Sequence, residues 1–294
     1  MVGKDSAPPS RGFLSRLVLV LALLSVGLAL LAITVFHTFP LGIAEESLKA
    51  RLKGQGVLVS WQALDRTFPF GLRLQKVEVV DLSTGRLVVR IDEARARLDP
   101  LSLFKGYAGI PVWARLGRGV VKGDARVRFK GADLELEAAG MEPGAIPAVA
   151  HAGVSVDGSV DGTLALHMPW NGCPTGFVRL RSGRIRRYGV RFRGVPLPLG
   201  EVDEAGLNAQ IRGCRAVIEG MWVYGKDLSA KLSGEVSLRT PLAASPLNMS
   251  IDITPKGDLM EKQWLLSFIS PWRRSSNYYS MTVRGTVGHP VIVR

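Results

Sequence analysis

DLSAKLSGEVSLR, residues 227–239, alternates for a dozen residues without a slip. Leu228, Ala230, Leu232, Gly234, Val236 and Leu238 fall on one side. Ser229, Lys231, Ser233, Glu235, Ser237 and Arg239 fall on the other. Successive side chains of a strand point to opposite faces, so period two means a β-strand with one apolar and one wet face. The same period recurs outward from here. Leu247, Met249, Ile251 and Ile253 oppose Asn248, Ser250, Asp252 and Thr254. Tyr279, Met281 and Val283 oppose Ser280, Thr282 and Arg284. Leu207, Ala209 and Ile211, then Leu134, Leu136 and Ala138, then Leu87, Val89 and Ile91, repeat it. Val127 and Phe129 sit between Arg126, Arg128 and Lys130 and are read the same way.

Alternation excludes a parallel sheet covered on both faces, whose strands read as continuous apolar runs. Helical crossovers between the strands are largely missing. The expectation is a mainly β protein of ten or more antiparallel strands. Gly turns, such as Asp157-Gly158, Asp161-Gly162 and Ser182-Gly183, join them. GRGVVKG, residues 117–123, lacks the G-K-[ST] ending of a phosphate loop and reads as a hairpin turn. Helical structure is expected in three places. LDPLSLFKG (98–106) gives a turn with one or two helical turns. The Pro- and Ala-rich stretch 142–153 crosses the end of the sheet. Leu259–Ile269 forms a helix opened by Asp258 and Glu261 as a capping pair.

The amino-terminal end follows a different rule. LVLVLALLSVGLALLAITVF, residues 17–36, is twenty residues without a charge. At about 1.5 Å per residue such a helix spans roughly 30 Å, a bilayer's hydrocarbon core. The bulky residues after it, Phe36 to Pro40, do not suit a signal-peptidase site. An uncleaved anchor is the expectation, ahead of a cleaved signal or a buried core helix. Basic residues are balanced across the run: Lys4, Arg11 and Arg16 before it, Lys49, Arg51 and Lys53 after it. Arg16 adjoins the run directly, which favours a cytoplasmic amino terminus. The expected divisions are a tail (1–16), a transmembrane helix (17–36), a juxtamembrane amphipathic segment (37–56) stopped by Gly54 and Gly56, and a β domain (57–294).

The formal charge is +13, from 38 Lys and Arg against 25 Asp and Glu. Arg179, Arg181, Arg184, Arg186, Arg187, Arg191 and Arg193 fall within fifteen residues without an acid. Arg179, Arg181, Arg191 and Arg193 are the candidate surface for an anionic headgroup or acidic partner, against the plainer reading of a solvated strand face. An anchored, exported domain argues against nucleic acid. The two cysteines, Cys173 and Cys214, either close a disulfide or remain two small buried thiols. His37, His151, His167 and His289 are scattered, and no H-E-x-x-H, Cys cluster or G-x-S-x-G elbow is present. No catalytic, cofactor or metal site is expected, and no small-molecule substrate. The candidate functional surface is the apolar strand face: Leu228, Ala230, Leu232, Val236, Leu238, Met249, Ile251 and Ile253. Strand alternation suits equally a packed core and a groove lined by acyl chains. The smallness of Ala209, Ala230 and Gly234 leans toward the groove.

Four segments in combination resemble the type II secretion system protein N family in its δ-proteobacterial form: VSWQALDRTFPFGLRLQKVEVVD (59–81), LDPLSLFKG (98–106), SPLNMSIDITP (245–255) and YYSMTVRGTVGHPVI (278–292). FPFGLRL and the closing RGTVGHP also resemble the wider AsmA-like group of bacterial envelope proteins. The resemblance implies an inner-membrane accessory component of a secretion machine with its large domain in the periplasm. It also implies an elongated, curved sheet, a β-groove or half-barrel, with membrane lipid and other secretion subunits as partners. It carries over no catalytic residue.

Overall fold

The computed structural model describes residues 27, 30–31, 33–34, 36–38 and 40–293, apart from 55, 83, 152–153, 184, 186, 193–194, 199–200, 240–243, 262–265 and 268. The tail and most of the apolar run 17–36 lie outside the described residues. The described positions from 27 to 38 are helical. Among the described residues no helix is long and apolar enough to cross a membrane.

The next helix is Leu41–Gly54. Gly56 ends it: at φ +84° its N–H donates back to the Lys53 carbonyl at 3.0 Å, a left-handed stop that suits glycine. This helix packs against the first strand, with Lys49 Nζ 4.4 Å from the Trp61 ring.

Nineteen strands follow among the described residues: β1 (Val57–Ser60), β2 (Ala63–Thr67), β3 (Gly71–Asp81), β4 (Arg86–Arg97), β5 (Ala108–Leu116), β6 (Gly119–Arg128), β7 (Gly131–Met141), β8 (Val154–Asp157), β9 (Val160–Pro169), β10 (Thr175–Ser182), β11 (Arg187–Phe192), β12 (Val195–Pro198), β13 (Val202–Arg212), β14 (Arg215–Gly225), β15 (Leu228–Ser237), β16 (Pro246–Pro255), β17 (Arg273–Ser275), β18 (Tyr278–Thr286) and β19 (His289–Val293). Sixteen of them make one sheet, in the order β1-β3-β4-β5-β6-β7-β9-β10-β13-β14-β15-β16-β18-β17, with β2 beside β3 and β19 beside β18. The fold is mainly β, its large antiparallel sheet does not close, and helices are few. β12, β11 and β8 form a separate three-stranded sheet, drawn from the connections on either side of β9 and β10. Alternation gave no sign of this second sheet.

Several local expectations change. Asp161-Gly162 is not a turn but lies inside β9. There Asp161 Oδ1 accepts the Gly140 N–H at 2.8 Å, holding a bulge where Gly140 sits at φ +63°. Phe129 is not an inward strand residue, because β6 ends at Arg128 and Phe129 stands in the β6–β7 turn. The late helix starts at Gly257 and is described as far as Glu261, so Asp258 lies inside its first turn instead of capping it. LDPLSLFKG behaves as expected: Asp99 caps the helix Pro100–Leu103 by accepting the Leu101 N–H at 3.1 Å. Gly117-Arg118 is the two-residue hairpin turn between β5 and β6. The stretch after β7 forms a short helix, Pro147–His151, that packs back against β4.

The register makes the central prediction specific. Leu232 pairs with Met221 on one side and Ile251 on the other, while Ser233 lies opposite Ser250. Leu232→Asp should therefore cost roughly 1–3 kcal/mol by placing a carboxylate among apolar neighbours. Ser233→Asp should stay within about 0.5 kcal/mol. Denaturant melts of the two variants check this, and equal losses would mean that the two faces are not distinct.

Candidate functional site

Residues paired directly across antiparallel strands share a face, so the ladder can be followed from strand to strand. Ala230 leads to Ile253 on β16 and to Val223 on β14. Val223 leads to Ala205 on β13, and Ile211 to Gly176 on β10. Val178 leads to Leu164 on β9, which meets Leu136 on β7. Leu134 meets Ala125 on β6, and Ala125 meets Ile110 on β5. Ten adjacent strands, from β5 to β18, thus turn one continuous face of Val, Leu, Ile, Ala, Met and Gly to the same side. At about 4.8 Å per strand it runs roughly 40 Å across the sheet.

That face is not packed away. Between β5 and β16 its valines, leucines, isoleucines and methionines are half-buried or exposed, except Val202, which is 2% exposed where it pairs with Gly225 and bridges Ile185. Burial comes at its margins, at Ser182 and Pro255, and at Tyr279 and Met281 on β18. All the expected groove residues on β15 and β16 lie in it, from Leu228, Ala230, Leu232 and Val236 to Met249, Ile251 and Ile253. Leu238 stands just past the end of β15. The sequence reading placed the candidate surface on β15 and β16 alone and did not carry it to β5, β9, β10 or β14; β14 slips register between Ile218 and Met221, and β7 slips between Ala138 and Met141. Each bulge breaks period two in the sequence while the ladder keeps the face intact.

Gly234 has a different reason from the one expected. Its backbone is at φ +147°, and a Cβ there would stand 2.3 Å from the Asn248 carbonyl oxygen. The close approach of β16 and a conformation open only to glycine require it, not space above the face.

The other face is wet and ion-paired. Arg126 meets Glu135 and Arg215 meets Glu235. His167 Nδ1 lies 2.6 Å from Asp133 Oδ1, a contact that holds the Asp133 carboxyl below its ordinary value. Tyr278 donates to Asp252 Oδ1 at 2.7 Å, which pushes the Tyr278 hydroxyl upward. Arg179 and Arg181 are exposed on this face of β10, with the Arg179 guanidinium 4.8 Å from the Phe177 ring. Arg191 belongs to β11 in the small sheet, and Arg193 lies outside the described residues. The four arginines therefore do not come from one strand face of the main sheet.

Cys173 and Cys214 are joined, their Cα atoms 4.9 Å apart. They tie the β9–β10 connection to the β13–β14 turn at one end of the sheet, across the width of β10. Among the described residues no three His, Cys, Asp or Glu side chains gather as metal ligands would.

Near the first edge the apolar set changes sides. On β4, Val89 and Ile91 point one way and Ala94 and Ala96 the other, with buried Glu93 at the changeover, while a bulge at Val88 breaks the expected run from Leu87. Arg73 and Arg95 bring their Nε atoms to Glu93 Oε1 at 2.6 and 2.7 Å, and Arg115 lies 3.9 Å from Oε2. Glu93 thus offsets one of the three charges of an arginine cluster near the first edge of the sheet.

No protein-family model, curated protein or solved structure matches the chain. The class defined by fold and site is a mainly β protein whose large antiparallel sheet does not close and whose apolar face, among the described residues, is mostly half-buried.

The hydrogen bond from Arg95, followed by that from Arg73, holds the Glu93 carboxyl below its ordinary value of 4.5. A depressed carboxylate stabilises the fold above its unfolded pKa, and the contribution is lost as pH falls through the folded value. Glu93→Gln should therefore lower Tm at neutral pH, and the gap from wild type should close as the pH drops below the ordinary carboxylate range. Melts across that range check it. A gap that stays constant to about pH 3 would detach the stabilisation from the Glu93 charge.

Proposed function

We propose that the chain is an inner-membrane-anchored accessory component of a bacterial type II secretion system, and that its periplasmic sheet works by holding lipid acyl chains in a curved groove. It is not an enzyme. The observation that carries the lipid part is the uncharged apolar face of ten adjacent strands, most of whose large side chains between β5 and β16 stay half-exposed. Leaving such a face in water is costly, since each fully buried Leu or Ile contributes about 1.5–3 kcal/mol. An acyl chain is apolar, needs no hydrogen-bond partner and lies along a groove of any length. The secretion context rests on the resemblance of the four segments named above. A second reading keeps the groove and drops the secretion machine: an AsmA-like lipid-binding or lipid-transfer protein of the cell envelope. The same face supports it.

Two measurements test the proposal on the full chain in cells. A photo-crosslinking phenylalanine analogue placed at position 230, on the apolar face, should capture lipid; at position 231, on the wet face, it should not. Equal capture at both positions, or none at 230, rejects the groove. A reporter enzyme active only in the periplasm, fused after Arg294, should be active, because Arg16 adjoins the apolar run on the cytoplasmic side. Activity of a cytoplasm-only reporter there rejects the orientation.

A further inference from the structure

In a meander, alternate connections emerge at the same end of the sheet. At one end of this sheet lie, side by side, the β2–β3 turn, the β4–β5 connection, the β6–β7 turn and the β9–β10 connection. Every one of them holds a large apolar side chain out to solvent. Phe68 is 75% exposed, Leu101 69%, Leu103 53%, Phe104 90%, Phe129 97% and Trp170 59%. Sheet turns ordinarily carry Gly, Asn, Asp and Ser. The described connections at the opposite end carry Thr84, Arg118, Lys226 and Asp227, and hold their exposed apolar side chains, Leu82 at 41% and Met260 at 42%, less far out. The apolar tips are held in place. Trp170 Nε1 donates to the Arg128 carbonyl at 3.2 Å, pinning it beside the turn that carries Phe129. Asp99 fixes the short helix that presents Leu101 and Leu103.

Two further observations say what covers them. Basic residues alternate with the tips: Lys105 follows Phe104, and Arg128 and Lys130 flank Phe129, all exposed. The apolar amino-terminal run arrives at this same end, where Phe36 meets Phe70 edge-on at 5.6 Å, one residue before β3 begins. Aromatic side chains with cationic neighbours suit the headgroup level of a bilayer, where the ring is half-immersed and the charge meets lipid phosphate. Four connections over six strand spacings cover roughly 30 Å, so several points engage the surface together.

We infer that this rim docks on the surface of an anionic lipid bilayer, with Phe68, Phe104, Phe129 and Trp170 immersed among the headgroups and Lys105, Arg128 and Lys130 against their phosphates. The mouth of the apolar face then opens at the membrane itself. The inference builds on the proposed lipid-holding function but is separable from it.

The test uses the full chain reconstituted into vesicles of phosphatidylethanolamine and phosphatidylglycerol. Phe104→Cys, Phe129→Cys and Arg118→Cys each carry an environment-sensitive fluorophore. The introduced thiol is the reactive one, since Cys173 and Cys214 are joined. Nitroxide-bearing lipids should quench the probe at 104 and 129 severalfold more than at 118 and shift its emission to the blue. In phosphatidylcholine vesicles that quenching should fall. A probe at 129 no more quenched than at 118 overturns the docking. So does a probe shielded from aqueous iodide but untouched by nitroxide lipid, which would place a protein partner on the rim. Quenching unchanged between the two lipid mixtures overturns the role of the basic residues. Lipid captured at position 230 with no quenching at 129 rejects the rim and keeps the groove. Quenching at 129 with no capture at 230 rejects only the groove.

Discussion

Everything in this molecule depends on the hydrogen-bonded register of one antiparallel ladder. Strand side chains alternate, so a one-residue slip between any two neighbours would carry an apolar set onto the wet face. Across ten strands the apolar set stays on one side, and where the ladder slips, it slips locally. The β7 bulge at Gly140 is closed by Asp161, and the β14 slip between Ile218 and Met221 lets Ala216 and Val223 face the same way despite the extra residue. Register keeps the apolar set on one side of the large sheet from strand to strand.

An open sheet must also manage its edges, whose unpaired N–H and C=O groups invite another strand. The first edge is made of two short strands, β1 and β2, with the helix Leu41–Gly54 packed against β1. The last edge is divided between the short strands β17 and β19, and Pro290 interrupts the second of them. Short edge strands and proline discourage sheet-to-sheet pairing. The same chain that blunts its edges leaves its broad face open. That contrast fits a face meant for a ligand without directional hydrogen bonds better than one meant for a partner strand.

Period two was legible wherever a strand had no bulge: β15, β16, β18, β13 and β7 up to Ala138 were all readable, and with them the antiparallel class. The rest was hidden for identifiable reasons. β14 carries one extra residue, Glu219, so its alternation breaks mid-strand. Phe129 continued an apparent alternation, yet the chain reverses after Arg128, and only the ladder from Val127 to Ala132 shows it. Asp161-Gly162 has turn-like composition, but the carboxylate serves a bulge on the neighbouring strand and the glycine leaves room for Leu180. The arginine-rich stretch, read as wet strand faces either side of Ser182-Gly183, is divided between two sheets, a tertiary fact with no local signal.

The choice between acyl chains and a packed protein partner turns on the small residues of the face. Gly234 is required by the backbone, and Gly176, at φ +154° with a Cβ that would stand 2.0 Å from the Ala165 carbonyl oxygen, is required in the same way. These glycines say nothing about what lies above the sheet. Ala125, Ala205, Ala209, Ala216 and Ala230 are different, because an alanine backbone imposes no such demand. A close-packed partner gains most from large, interdigitating side chains, and an interface core is ordinarily rich in aromatics. Between β5 and β16 the apolar face carries no aromatic side chain at all; its chemistry is aliphatic and shallow. Aromatics stand instead on the opposite face, at Trp113, Phe177, Trp222 and Tyr224, and at the rim, at Phe104, Phe129 and Trp170. On the proposed lipid reading, the rim's rings match the headgroup level and the aliphatic face the saturated chains beyond it.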